Sequence, residues 1–229
     1  MAWNLKQLKD PVYRILQAPT DWMVAQRVHP NLISTLGFLS TVGAGLFYRE
    51  DHVRIAGVLV LLGGVFDIFD GRVARETGLA SKFGSFYDST LDRISEIVMY
   101  LGLLSLYNHY GIQLADIWMI YVILLAMGGS LMVSYTRAKA EALGVDCKVG
   151  LFQRAERIVL LGLGSALFGL MWSGVILSWV IVVVAFFSLF TAIQRVVWVY
   201  RNVEEEAPEG VPSPSREDAA TLIKEERKT

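Results

Sequence analysis

The chain has 229 residues, 54% of them hydrophobic and only 19% charged, a balance that belongs to polytopic membrane proteins rather than soluble domains. Its net charge of -1 sums segregated charges and offers no basic stripe, which argues against a nucleic-acid partner. Cys147 is the only cysteine, so neither an intrachain disulfide nor a cysteine-based zinc cluster can be built.

The N-terminal stretch is broken by Asp10, Pro11 and Pro19 and lacks the continuous apolar core of a signal peptide. Residues 12–28 combine Val12, Ile15, Leu16, Trp22 and Met23 with Arg14, Asp21 and Arg27. That mixture suits a helix lying in the membrane interface, within a cytoplasmic leader over 1–30; a solvated leader is the alternative. Six apolar segments follow, at 31–49, 54–76, 81–107, 114–138, 153–173 and 175–200, each near the ~20 residues that a spanning helix requires. No internal repeat is visible.

Lys6, Lys9, Arg14 and Arg27 precede the first span, Arg72, Arg75 and Lys82 surround the second break, and Arg137, Lys139, Lys148, Arg154 and Arg157 surround the fourth. The third and fifth breaks carry no Lys or Arg, so the positive-inside rule puts both termini and the second and fourth breaks in the cytoplasm, with Arg49 and Arg54 at the first break as a weak exception. From Glu204 the composition turns to Glu, Pro and Ser, which predicts a disordered cytoplasmic tail over 204–229. The expected fold is therefore all-α and integral to the membrane, with a six-helix catalytic domain over 31–203.

Inside this apolar frame stand four carboxylates. Asp67 and Asp70 are three apart and Asp88 and Asp92 four apart, so each pair shares one helical face. With a turn near Gly78, Asp67 lies 11 residues before it and Asp88 10 after it (78 − 67 and 88 − 78). A helical hairpin brings them to similar depth, in the cytoplasmic half of the bilayer. Four ionised carboxylates so close are tolerable at membrane depth only with a cation and a polar cavity. Oxygen ligands without nearby His or Cys favour Mg²⁺ or Mn²⁺ over Zn²⁺, with Ca²⁺ also allowed by the chemistry, and four carboxylates suit two ions, the arrangement that clamps a phosphoryl group in in-line displacement. Gly71 and Gly84 leave backbone open to a bulky ligand, and Arg75 could pair a phosphate oxygen.

The fixed positions Asp67, Asp70, Gly71, Ala74, Arg75, Gly84, Asp88 and Asp92 match the signature D-x2-D-G-x2-A-R-x8-G-x3-D-x3-D. In these residues and in its six-span layout the chain resembles the CDP-alcohol phosphotransferases. The resemblance implies transfer of a phosphatidyl group from a CDP-linked donor such as CDP-diacylglycerol to an alcohol, with release of CMP. It further implies that Asp67, Asp70, Asp88 and Asp92 hold two metals, that Asp92 deprotonates the attacking hydroxyl, and that Gly71, Arg75 and Ser81 contact the CDP part. Asn31 is a further donor-binding candidate, with an N-cap as its alternative role. Homodimers are the family habit, and Gly37, Gly43, Gly45, Gly128 and Gly129 are candidates for close helix contacts.

The acceptor depends on the segment from Ser134 to Ile158. Arg137, Lys139, Arg157 and Arg195 suit an acceptor that already carries a phosphate, because guanidinium forks match phosphate oxygens. Lys148 and Arg154 read instead as topological markers that snorkel to the interface. The stretches SYTRAKAEALG and RAER, with Arg195, resemble prokaryotic phosphatidylinositol phosphate synthases, which implies inositol 1-phosphate as acceptor. Phosphatidylglycerol phosphate synthesis is the near alternative. A divalent-cation or proton-coupled transporter is remote, since its acidic residues would lie near the midplane of repeated halves. A purely structural role is disfavoured because Arg72, Arg75 and Arg93 are too few to neutralise the carboxylates.

Overall fold

The computed structural model describes residues 17–109 and 117–203; the remainder of the leader and the tail from residue 204 lie outside them. Helix α1 is described over 17–25. It is followed by α2 (Pro30–Arg49), α3 (Val53–Glu76), α4 (Lys82–His109), α5 (Ile117–Ala142), α6 (Arg154–Leu163) and α7 (Val175–Asn202). There is no strand among the described residues.

Three helical stretches, Pro30–Arg49, Ile117–Ala142 and Met171–Asn202, are long and apolar enough to cross a membrane. Helices α3 and α4 have the length, at 24 and 28 residues, which at ~1.5 Å per residue exceeds the ~30 Å hydrocarbon core. They are less apolar because they carry the acidic residues. Their bounds follow the apolar segments closely.

The fifth segment departs from expectation. An uninterrupted helix is expected over 153–173, but α6 runs for 10 residues and passes into a π-helical turn, Gly164–Phe168, and a 3-10 turn, Met171–Gly174. Two causes are visible. A Cβ on Gly57 of α3 would collide with Ala166 N, Gly162 O and Ser165 Cβ, so the two backbones touch and the helix widens there. Beyond it Gly169 takes a φ of +53°, a left-handed conformation that glycine adopts without penalty and that ends the helix.

Helix α2 packs against both α3 and α4, α3 against α6, and α5 against α7. The main core joins Tyr48 of α2, Val60 of α3, Tyr100 and Leu103 of α4, Ile123 of α5, Leu161 of α6 and Ile181 of α7. Two of its buried hydroxyls are paired across helices, Tyr48 with Ser165 at 2.6 Å and Tyr107 with Ser178 at 2.9 Å, which offsets the cost of burying them. Outward faces carry Leu39, Val58, Phe186 and Val196 exposed, as lipid-facing helices require. Met23 and Val24 of helix α1, with Val28 just beyond it, pack against Ile33, Phe69 and Val73.

The glycines expected to serve a partner subunit are largely used within the chain. A Cβ on Gly45 would meet Val98 O, one on Gly37 would meet Phe66 Cβ at 3.0 Å, and one on Gly129 would meet Ser188 Cβ at 3.1 Å. Gly43 is loosely covered by Leu59, and only Gly128 of the five faces open space.

Candidate active site

The α3–α4 hairpin builds the site. Helix α3 ends at Glu76, and Gly78 turns the chain with a φ of +71°, where a side chain would be strained. Helix α4 is then started by Ser81, whose Oγ accepts from the Gly84 amide at 2.9 Å, a normal helix cap. This short turn brings Asp67, Asp70 and Asp88 together, each offering a carboxylate oxygen within 4.8 Å of the others. Asp70 is buried and accepts a hydrogen bond of 2.6 Å from Ser34 Oγ of α2. Three hard oxygen donors with no His or Cys among them fit a divalent ion of the Mg²⁺ or Mn²⁺ type.

Asp92, one turn beyond Asp88, is held differently. Its Oδ1 lies 2.6 Å from Arg154 Nη2, while Arg154 Nη1 lies 2.7 Å from Asp67 Oδ2. One guanidinium therefore forks across two of the four carboxylates. Arg93 Nη1 stands 3.6 Å from Asp92 Oδ2. The sequence reading of Arg154 as a marker of the cytoplasmic face is thereby corrected: its side chain is only 21% exposed and belongs to the acidic cluster. Lys148 by contrast is exposed and pairs with Asp146.

A cavity of ≈ 170 Å³ adjoins the carboxylates, lined by Asn31, Ser34, Asp70, Ser81, Gly84 and Asp88 among others. Asn31 does not cap α2. His29 does, its Nδ1 accepting from the Asn31 amide at 3.2 Å, with Pro30 in the first helical turn. Asn31 Oδ1 is thus turned to α4, where a Cβ on Gly84 would approach it to 3.3 Å. Arg75 is exposed and folds back along α3, so that a Cβ on Gly71 would lie 3.3 Å from its Nη1. Asn31 and Ser81 thus line this cavity beside Asp70 and Asp88, whereas Gly71 and Arg75 lie on α3 outside its lining.

Of the four acceptor candidates, Arg137 and Arg157 lie within electrostatic reach of Arg195, and each of these three has a partner within the chain. Arg137 Nε pairs with Glu141 at 2.8 Å one turn along α5, and Lys139 is exposed. Arg157 is buried and donates from Nε and Nη2 to Glu96 Oε1 at 3.1 and 3.0 Å. Arg195 is buried and donates to the carbonyls of Val149, at 2.9 Å, and Val133. Glu96, which sequence reasoning missed, stands one turn past Asp92 and also accepts from the Ser130 hydroxyl. Its signal was available: an acidic residue four positions after Asp92 continues the same helical face into the bundle.

Residues 27–190 match the sequence profile of CDP-alcohol phosphatidyltransferases. The chain belongs to that family. The archaetidylinositol phosphate synthase of Methanothermobacter thermautotrophicus is 32% identical over 87% of this chain and 92% of its own. The phosphatidylinositol phosphate synthase of Streptomyces avermitilis is 33% identical over 84% of this chain and 80% of its own. Among solved structures, the phosphatidylinositol phosphate synthase of Mycobacterium tuberculosis with CDP-DAG bound superposes with a TM-score of 0.73 at 25% identity, covering 85% of this chain and 98% of that one. The same protein has been solved with manganese and citrate, with a TM-score of 0.73 at 24% identity over 84% and 93% of the two chains. This CDP-alcohol phosphatidyltransferase is accordingly a membrane-embedded transferase of phospholipid synthesis, and the clustered Asp67, Asp70 and Asp88 lie within the matched region.

Proposed function

We propose that the enzyme transfers the phosphatidyl group of CDP-diacylglycerol to inositol 1-phosphate, forming phosphatidylinositol phosphate and CMP. The observation that carries this reading is the convergence of Asp67, Asp70 and Asp88 within 4.8 Å, in a chain whose relatives are named for inositol phosphate lipids. Two divalent ions, Mg²⁺ with Mn²⁺ as substitute, held by Asp67, Asp70, Asp88 and Asp92, would neutralise the donor diphosphate and lower the barrier at the attacking and leaving oxygens. Asn31, Gly71, Arg75 and Ser81 border the donor nucleotide. Asp92 takes the proton from the acceptor hydroxyl as its oxygen bonds to the lipid-side phosphorus; the bond from that phosphorus to the CMP oxygen breaks, and CMP departs with the electron pair.

Positive charge for the acceptor's own phosphate comes from Arg137, Lys139, Arg157 and Arg195. The first two are exposed, whereas the buried guanidiniums of Arg157 and Arg195 must exchange their present partners to meet a ligand. In this reading residues 31–203 form a six-span catalytic domain of a homodimer in the cell (inner) membrane. Residues 1–30 form the interfacial leader and 204–229 a cytoplasmic tail. The alternation of Lys and Arg along the chain supports a cavity and both termini on the cytoplasmic side.

The test is CMP release by purified protein from CDP-diacylglycerol with inositol 1-phosphate, free inositol and glycerol 3-phosphate in parallel, each with Mg²⁺. Turnover restricted to inositol 1-phosphate is expected. Equal turnover with free inositol would remove the phosphate requirement, and turnover with glycerol 3-phosphate alone would transfer the assignment to phosphatidylglycerol phosphate synthesis.

A further inference from the structure

Arg154 occupies a position that local electrostatics disfavours. It is the first residue of α6, where the unpaired amides of the helix present partial positive charge and a cation is repelled. The capping box that opens this helix, with the Gln153 side chain on the Glu156 amide and the Glu156 side chain on the Gln153 amide at 3.0 Å, fixes where the helix starts. Arg157, three residues on and therefore on the same face, is tied to Glu96. The start of α6 is thus anchored twice, and the anchoring aims the Arg154 fork at Asp67 Oδ2 (2.7 Å) and Asp92 Oδ1 (2.6 Å).

The carboxylates divide accordingly. Asp67, Asp70 and Asp88 converge within 4.8 Å and make one candidate cation position. A second cation shared by Asp67 and Asp92 competes with Arg154, which engages one oxygen of each, because a guanidinium and a metal ion cannot both hold one carboxylate oxygen at contact distance. Their positive charges would also repel.

We propose that Arg154 is a positioning residue that serves as an exchangeable internal counter-charge: it holds Asp67 and Asp92 together and must be displaced before a second divalent ion binds between them. It rests on the two-cation reading proposed above. The displaced guanidinium is released beside the acidic cluster, where the diphosphate of the donor supplies anionic oxygens for it. Completion of the cation pair and engagement of a phosphate by Arg154 are then linked events.

The experiment titrates purified, substrate-free protein in detergent with Mn²⁺ alone, following unbound Mn²⁺ by electron paramagnetic resonance. Wild type is expected to bind one Mn²⁺ tightly and a second weakly. Arg154→Met is expected to tighten the second site by about tenfold or more, the lower end of the coupling between close charge pairs, and to leave the first within about twofold. Arg154→Lys, a point charge that cannot fork across two carboxylates, falls between them. Without added cation the Met variant unfolds at a lower temperature than wild type, and Mn²⁺ raises its Tm by more. A second site in Arg154→Met that is unchanged or weaker than in wild type overturns the proposal. Should that variant fail to fold, a second-site affinity in Arg154→Lys equal to or below wild type overturns it. Wild type that binds no Mn²⁺ at all would instead overturn the two-cation reading.

Discussion

The buried pair of Arg157 and Glu96 offers the sharpest separation of structural from ligand-binding roles. The two side chains are 3% and 8% exposed, and the pair joins α6 to α4 at 3.0 Å, with the Ser130 hydroxyl of α5 on the same carboxylate oxygen. Arg157→Met leaves Glu96 buried with a single hydroxyl as partner. Removing one member of such a pair costs about 3–5 kcal/mol, and at roughly 2–4 °C per kcal/mol for a chain of this size the Tm falls by about 6–20 °C. Glu96→Gln combined with Arg157→Met removes both charges, keeps an acceptor for Ser130, and should recover more than half of that loss. The assay is thermal unfolding in detergent of wild type, both single variants and the double variant. A Tm within about 2 °C of wild type for Arg157→Met, or strictly additive losses in the double variant, would refute the structural role. The double variant then gives the second readout: a raised KM for inositol 1-phosphate at retained stability assigns Arg157 to the acceptor as well, and an unchanged KM confines it to the fold.

Asp92→Asn removes the proposed proton acceptor and should lower kcat by about 10²–10⁴ while Mn²⁺ binding at the remaining three carboxylates persists; a loss below tenfold refutes the assignment. Ser34→Ala deletes the 2.6 Å hydrogen bond that orients Asp70, and should weaken Mn²⁺ binding or turnover by about 10–100-fold, the usual effect of removing a partner of a metal ligand. An unperturbed titration would show that Asp70 is positioned by its burial alone. Gly102→Ala forces a methyl group against the Gly45 backbone and should destabilise by about 1–3 kcal/mol. Gly128→Ala meets open space and should be stabilising by up to about 1 kcal/mol through helix propensity. If wild type elutes as a dimer in size-exclusion chromatography and Gly128→Ala as a monomer, that face is instead the subunit contact.

Much of the site was legible because charge in an apolar run is costly and so carries information. Asp67, Asp70, Asp88 and Asp92 stand out against the hydrophobic segments, and counting outward from Gly78 levels the two helices without any structural knowledge. Ser34 was not legible, since a single serine in an apolar helix has no pattern and acquires its role only when α2 packs across the hairpin. Asn31 was ambiguous between cap and ligand because both roles want a small polar residue at a helix start. His29 removes the ambiguity by taking the cap itself. The break in the fifth apolar segment was hidden because hydropathy records composition rather than helical type, and the contact between Gly57 and the backbone near Ala166 joins residues distant in sequence.

Arg154 shows why charge counting and face analysis answer different questions. The positive-inside rule sums arginines near a helix end and is indifferent to their orientation, so Arg154 and Lys148 look alike to it. Periodicity separates them. Arg154, Arg157, Ile158 and Leu161 lie at i, i+3, i+4 and i+7, the spacing of a single inward face, and all four line one continuous cavity within the bundle. A cation on the inward face of a helix in an apolar bundle needs an anion there, and among the described residues the acidic hairpin, Glu96 included, supplies it. The two arginines divide these partners between them, Arg154 with Asp67 and Asp92, Arg157 with Glu96. The register of α6 therefore fixes both contacts at once: advancing the helix by one residue would turn each side chain through about 100° and remove both guanidiniums from their carboxylates. The capping box at Gln153 and Glu156 sets that register, so a local signal at the start of one helix determines the electrostatics of a site built on two others.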